Sequence, residues 1–388
     1  MGEHGVLVGS VINFPIKGVL IMAKFINSIV ERHWGMEYFK EHVMAPEYDI
    51  SRKKNEYSEF YAKHGFKVSL MYGDFFSKYS GIESDRYPSM DLIYFYMMPC
   101  LCRHDFMWAY VDKNLFSEFF HDVSQPETVV KCWNGIFYDS ERKQISKQNA
   151  VDITIGEKCD LIIKPTVETM NGDNVVTLDN SGRDSVVAMF DRYGVNFIVQ
   201  RKLKQHPDLA RLNPSSFNTY RILTYRDIDK KVHFLDEISH IRIGGKGSAK
   251  DNLSSGGVAC HIMPDGTLVD ACTRYKSMKV YSMKSEYGVQ DYKVPCFKAA
   301  ADFAISLHQR LPYFDFIGWD VGILPDESPV FIEYNVIPGV EGPQSIAGPL
   351  FGKYLEEVME RVKIVRCDKV AYSRRTWPNG FDHKLLIG

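Results

Sequence analysis

Neither sign of charge prevails in this chain. Its 388 residues hold 47 Lys and Arg against 49 Asp and Glu, a net charge of −2 at pH 7. No global basic field is available to grip a nucleic-acid backbone or an anionic membrane, which sets aside a nucleic-acid partner. Internal repeats and low-complexity tracts are missing, so the chain is neither a solenoid nor a compositional linker. Paired cysteines are missing too. The eight thiols stand at 100, 102, 132, 159, 260, 272, 296 and 367 with no C-x-x-C among them. Such scattered spacing reads as inert thiols in a reducing, cytoplasmic compartment, not as a disulfide frame. Cys100, Cys102 and His104 are too closely spaced for the usual zinc knuckle.

Long apolar runs are scarce. The stretch from Gly5 to Ile26 is mostly apolar, but Pro15 and Lys17 interrupt it and no basic leader precedes it, a pattern of neither a signal peptide nor a spanning helix. It leaves two readings, a segment packed on the body or a peripheral attachment to the inner membrane surface. What the chain has in plenty is aromatic surface, 13% of residues with 22 Tyr and 24 Phe. That argues against disorder and for a dense core.

From Glu31 to about Tyr110 the pattern is helical, with aromatics at Tyr57, Phe60, Tyr61 and Phe66 and a tightly buried run at Leu92–Tyr96. From about Thr128 the texture turns to short β-rich runs. Leu161–Ile163 and Asn196–Val199 read as strands around a short helix at Ser185–Tyr193. Hairpins follow at Arg221–Tyr225 with Val232–Leu235, and at Gly257–Ile262 with Leu268–Cys272, the second turned by Pro264-Asp265-Gly266. An amphipathic helix spans Phe297–Leu311, and a last hairpin joins Phe316–Leu324 to Val330–Tyr334. The order is α+β, with antiparallel sheets.

The last hairpin carries the chemistry. Glu333 and Asn335 lie two apart, on one face of a strand, and Asp320 sits across from them if the hairpin is in register. Two carboxylates and an amide oxygen are hard ligands of the kind Mg²⁺ accepts while keeping waters and phosphate oxygens. Acids on an exposed hairpin are otherwise merely solvated. Here Phe331, Ile332 and Tyr334 bracket Glu333, and Trp319 and Val321 bracket Asp320; an acid in such a setting needs a cation or a hydrogen-bond partner. Lys164, held extended by Pro165, and Arg221 and Arg242 on strands would complement phosphates, the arginines having structural ion pairs as their alternative. Asn252 ahead of Gly256-Gly257 adds an amide near a close-approach backbone. Together these describe a nucleotide site, with ATP and Mg²⁺ as its expected occupants.

The ordered set Lys164-Pro165, Val199–Leu203, Asn218-Thr219-Tyr220-Arg221, Asp251-Asn252, Gly318-Trp319-Asp320 and Phe331–Asn335 with Pro338-Gly339 resembles the ATP-grasp superfamily. Gln205-His206-Pro207, Asn213-Pro214, Ser216–Thr219 and Ile241–Gly244 make it similar to the sugar-transfer-associated branch, over about residues 105–350. The resemblance implies two α+β lobes clamping ATP, at 106–200 and 201–388, behind a helical, aromatic leader at 1–105. It places Lys113 and Lys164 on the nucleotide's phosphates, Gln200 with the backbone of Lys202 and Leu203 at the adenine, and His206 or Asp208 near the ribose. Arg221 and Arg242 would face the transferred phosphoryl group, Asn252 the oxyanion, and Asp320, Glu333 and Asn335 two Mg²⁺ ions. The loop from Thr166 to Asn174 departs from the pattern, with a single glycine.

The implied activity is a carboxylate–amine ligase working through an acyl phosphate in cell-surface polysaccharide synthesis, its partners a small or glycan-linked carboxylate and an amine. The alternatives are a kinase acting on a hydroxyl and a non-catalytic nucleotide-binding assembly protein.

Overall fold

The structure, a computed structural model, describes residues 56–167, 175–245, 247, 256–274 and 280–367. Gly5–Ile26, most of the Thr166–Asn174 loop and Asn252 lie outside the described residues. No helix among the described residues is long and apolar enough to cross a membrane.

Two antiparallel sheets organise the chain. The first comprises β1 (Thr128–Trp133), β2 (Ile136–Asp139), β3 (Gln144–Ile145), β4 (Leu161–Pro165), β5 (Val176–Leu178) and β6 (Asn196–Arg201), in the order β3-β2-β1-β6-β4-β5. Helices Lys147–Gly156 and Arg183–Tyr193 cover one face, the former capped by Ser146, whose hydroxyl accepts from the Asn149 N–H. Strand alternation then decides what the other face shows. Leu161 and Ile163 are sealed in this core, so Ile162 and Lys164 point the opposite way, into the cleft between the sheets.

The second sheet holds β7 (Thr219–Arg226), β8 (Val232–Phe234), β9 (His240–Ile243), β10 (Val258–Ile262), β11 (Leu268–Arg274), β12 (Val280–Tyr281), β13 (Phe316–Ile323) and β14 (Pro329–Asn335). Its order is β12-β11-β10-β9-β7-β13-β14, with β8 on β7. All eight residues of β13 are buried between β7 and β14. Behind it, the Trp319 indole donates to Thr224 Oγ1 at 2.8 Å, and Thr224 donates to His308 Nδ1 at 2.7 Å. His308 Nε2–H then donates to the Phe314 carbonyl at 2.8 Å, which fixes the tautomer.

The N-terminal helices, Glu56–Lys63 and Leu70–Ser80 among them, are helical as the sequence pattern predicts, and their rings do not form a core of their own. Tyr57, Tyr61, Phe75 and Phe76 are buried in one cluster with Tyr225, Phe316, Phe351 and Met359 of the C-terminal half. Each such ring contributes roughly 1.5–3 kcal/mol by leaving water. Leu92–Phe95 is buried as expected and Tyr96 half-buried; the run enters a π-helical turn, Ile93–Met97, within a helical stretch. A connector through residues 110–124 then ties the two sheets together. Tyr334 Oη donates to the Tyr110 carbonyl, Phe331 N–H donates to the Ser124 carbonyl at 2.8 Å, and the Phe120 ring lies 4.8 Å from that of Phe331.

Candidate functional site

A cavity of about 780 Å³ opens between the sheets, within the size range of small-molecule sites. Ile162 and Lys164 line it from the first sheet, Lys202 and Leu203 from the segment after β6, and Thr219, Arg242, Asp320, Ile332 and Glu333 from the second. Lys113, Gln200, His206, Asp208, Arg221 and Asn335 are not part of its wall. Gln200 is buried at the end of β6, with Nε2 donating to the Pro126 carbonyl at 3.3 Å and Oε1 without a partner in the structure. His206 caps the Pro207–Leu212 helix, its Nδ1 accepting from the Asp208 N–H at 3.2 Å.

The hairpin is in the register the sequence requires. Asp320 pairs with Glu333 across β13 and β14, and a bulge between Asp320 and Val321 leaves Ile332 unpaired. On its other side Asp320 pairs with Arg221, Arg221 with His240, and His240 with His261. One unbroken row of polar side chains, Glu333, Asp320, Arg221, His240 and His261, therefore crosses five strands on a single face. Gly318 makes room for it, since a Cβ there would stand 3.2 Å from Arg221 Cδ and 2.8 Å from Pro338 Cβ.

Charge within the row is tightly committed. Arg221 grips Asp320 bidentately, Nε to Oδ1 at 2.5 Å and Nη2 to Oδ2 at 3.1 Å, and Arg242 Nη1 donates to Oδ2 at 2.8 Å. Burial alone would push the Asp320 carboxyl up, but the two guanidinium groups outweigh it and hold it below the ordinary carboxylate value. The arginines thus make the ion pairs that the sequence left as their alternative role. His240 is driven down to about 3 by burial and the adjoining Arg221, so it is neutral, with Nδ1–H donating to the Ile238 carbonyl at 3.1 Å.

Facing the row, Lys164 is 7% exposed. Burial and the neighbouring Lys113 push its amine down to about 8, against the opposing pull of Glu333. Lys113 Nζ lies 3.5 Å from Glu333 Oε2. Two lysines and two arginines thus converge on two carboxylates, leaving surplus positive charge directed at the cavity.

The donor set fits a divalent cation. Asp320 accepts three N–H bonds, and a carboxylate offers about four acceptor positions, so about one remains. Asn335 shares the face of Glu333, and its buried Nδ2 has no partner in the structure, so the amide is not locked into another network. Among the described residues no three His, Cys, Asp or Glu side chains form a closed cage. A hard cation here would complete its shell with water and ligand oxygens, as Mg²⁺ does.

Two features escaped the sequence reading. Phe217 stands against Gly322 and forms part of the cavity wall. Asn114 is fully buried beside Lys113. The pattern Asp112-Lys113-Asn114 shows at most a turn, with Asp112 Oδ1 accepting the Asn114 N–H at 2.9 Å.

The sequence profile of the family described as sugar-transfer associated ATP-grasp matches residues 106–360. Among solved structures, the D-cycloserine synthetase DcsG is 15% identical, with 66% of this chain and 71% of that one covered at a TM-score of 0.38. The ATP-grasp ligase PsnB, complexed with precursor peptide PsnA2 and AMPPNP, is 12% identical, covering 66% and 60% at 0.36. The D-alanine-D-alanine ligase from Coxiella burnetii is 11% identical, covering 67% and 61% at 0.35. No curated protein matches the chain.

Proposed function

The chain belongs to the sugar-transfer associated ATP-grasp family, and on that premise we propose that it is an ATP- and Mg²⁺-dependent ligase joining a carboxylate to an amine. The observation that carries this reading is the pairing of Asp320 with Glu333 in a row that faces Lys164 across the cavity, with Lys113 at ion-pair distance from Glu333. Lys113 and Lys164 hold the phosphates, Ile162 and Ile332 enclose the base from the two sheets, and Lys202 and Leu203 offer backbone to its edge. Gln200, His206 and Asp208 support that end from outside the wall. Asp320, Glu333 and Asn335 hold the cation, of which two ions are expected. Bound there, Mg²⁺ neutralises charge on the phosphoryl oxygens.

The substrate carboxylate attacks the γ-phosphorus and ADP leaves, giving an acyl phosphate, while N–H groups of Arg221 and Arg242 beyond those bound to Asp320 stabilise the charge on the phosphoryl in flight. The amine attacks the acyl carbon, phosphate leaves, and the amine's proton passes to solvent or a basic group of the acceptor. Arg242, with Asn252, steadies the oxyanion. The association with sugar transfer in the family's description supports a sugar acid or amino acid joined to a glycan precursor as the substrates.

Thermal shift with Mg·AMPPNP tests the site. The wild type should be stabilised, and Glu333→Gln should lose most of that increment; Asp320→Asn is the poorer probe because it strands two buried guanidinium groups. No wild-type shift would sink the assignment. ADP release requiring both a carboxylate and an amine supports the ligase, whereas a stable phosphorylated product would point to a kinase.

A further inference from the structure

The strongest unassigned network is the one around Asn114, fully buried and away from the cavity wall. Its Nδ2 donates to Thr166 Oγ1 at 3.0 Å and approaches the Cys132 carbonyl at 3.5 Å. The neighbouring backbone repeats the tie, the Lys113 N–H donating to the Thr166 carbonyl at 3.0 Å. From below, the buried Lys131 Nζ donates to the Asn114 carbonyl at 2.9 Å and to Ser117 Oγ at 2.6 Å. Thr166 N–H is in turn bound to the Asn196 carbonyl at 3.2 Å. Each end of this clamp therefore adjoins a cation of the site: Lys113, paired with Glu333, precedes Asn114, and the cavity-lining Lys164 stands two residues before Thr166.

We propose that Asn114, through its bond to Thr166, is a positioning residue that sets the spacing of Lys113 and Lys164 and so tunes recognition of the polyphosphate, not of the nucleoside. The proposal rests on the nucleotide reading above and adds to it a residue that touches no ligand. Two like charges close together repel, and the backbone bond from Lys113 to Thr166 is one tie across their separation. A buried side-chain donor that cannot rotate away adds a second. Asn114 is not required to hold the adenine end, which lies at the far side of β4 and β6.

The test compares two probes, adenosine and Mg·AMPPNP, by calorimetric titration of the full chain. Wild type should bind both. Thr166→Val removes the acceptor and keeps the backbone tie; Asn114→Ala removes the donor. Each should weaken Mg·AMPPNP roughly tenfold, the scale of one well-placed hydrogen bond, while adenosine stays within about twofold. Thr166→Ser, which keeps the hydroxyl, should bind both probes as wild type does. The double variant should be no worse than the poorer single one, because both changes cut the same bond. Equal loss for both probes, or no loss for either, overturns the proposal; if Asn114→Ala does not fold, Thr166→Val alone decides. A wild type that binds neither probe overturns the nucleotide reading itself, and that outcome is visible before any variant is made.

Discussion

Lys164, proposed here to hold phosphate, shows how such a residue can be a liability to the fold. A lysine whose amine is pushed from its usual value near 10.5 to about 8 pays for its charge at neutral pH, roughly 3 kcal/mol by linkage. Lys164→Met keeps the length of the side chain and removes the buried cation. Its unliganded form should therefore be more stable than wild type at pH 7, by about 1–3 kcal/mol in denaturant titrations, and should bind Mg·AMPPNP at least tenfold more weakly. The sign with pH follows from the same value: Lys164 is charged below about pH 8 and neutral above it. Wild-type affinity should decline as pH rises through that point, and the decline should be absent in Lys164→Met. At this scale the sequence was legible where chemistry and local spacing coincide. Glu333 and Asn335 two apart, with Asp320 on the partner strand, could be placed from the period of a strand. Asn114 could not, because its partner Thr166 is 52 residues away and only the packed sheet brings them together.

The β13–β14 hairpin is an element in which a missing side chain matters as much as those present. A Cβ on Gly322 would fall 2.1 Å from Phe217 Cε1 and 2.5 Å from Cζ, far inside contact distance. Gly322→Ala should push the ring into the cavity, costing about 1–3 kcal/mol of stability and weakening nucleotide binding severalfold. Phe217→Ala in that background should restore binding, measured by the same titration; if it does not, Phe217 is not what Gly322 accommodates. Hairpins and amphipathic helices were readable because their periods differ from their surroundings: Phe297–His308 and the hairpin strands form close to where the pattern puts them. Leu92–Tyr96 has no period to read. It is buried nearly all round, and a π-helical turn leaves no mark in a run of uniformly apolar residues.

Across the whole molecule, two histidines set the acid limit. Burial, with Arg221 beside His240 and Arg226 beside His308, drives both imidazoles down to about 3. Their folded values lie below the ordinary 6.5, so the unfolded chain binds more protons between these limits, and stability present above pH 6.5 is lost as pH falls toward 3. Between pH 6.5 and 5 the loss should be roughly 2 kcal/mol per histidine, read from urea midpoints. Asp320, held below the ordinary carboxylate value, adds its share only at lower pH. None of this was visible in the sequence, where the histidines stand apart; burial on both sides of β13 and β9 brings each against an arginine.

The clustering of leader rings with Tyr225, Phe316 and Phe351 has a consequence for where this protein begins as a physical object. The stretch that the family profile matches starts at residue 106, yet among the described residues the core it shares reaches back to Tyr57. The inherited module and the folding unit are different lengths of chain. Residues 106–360 produced alone should expose the underside of the second sheet and come out aggregated or with a broadened, non-cooperative melt, while the full chain should melt in one step. The first sheet keeps a core of its own within the matched stretch; it is the second sheet whose interior is completed by rings from outside it.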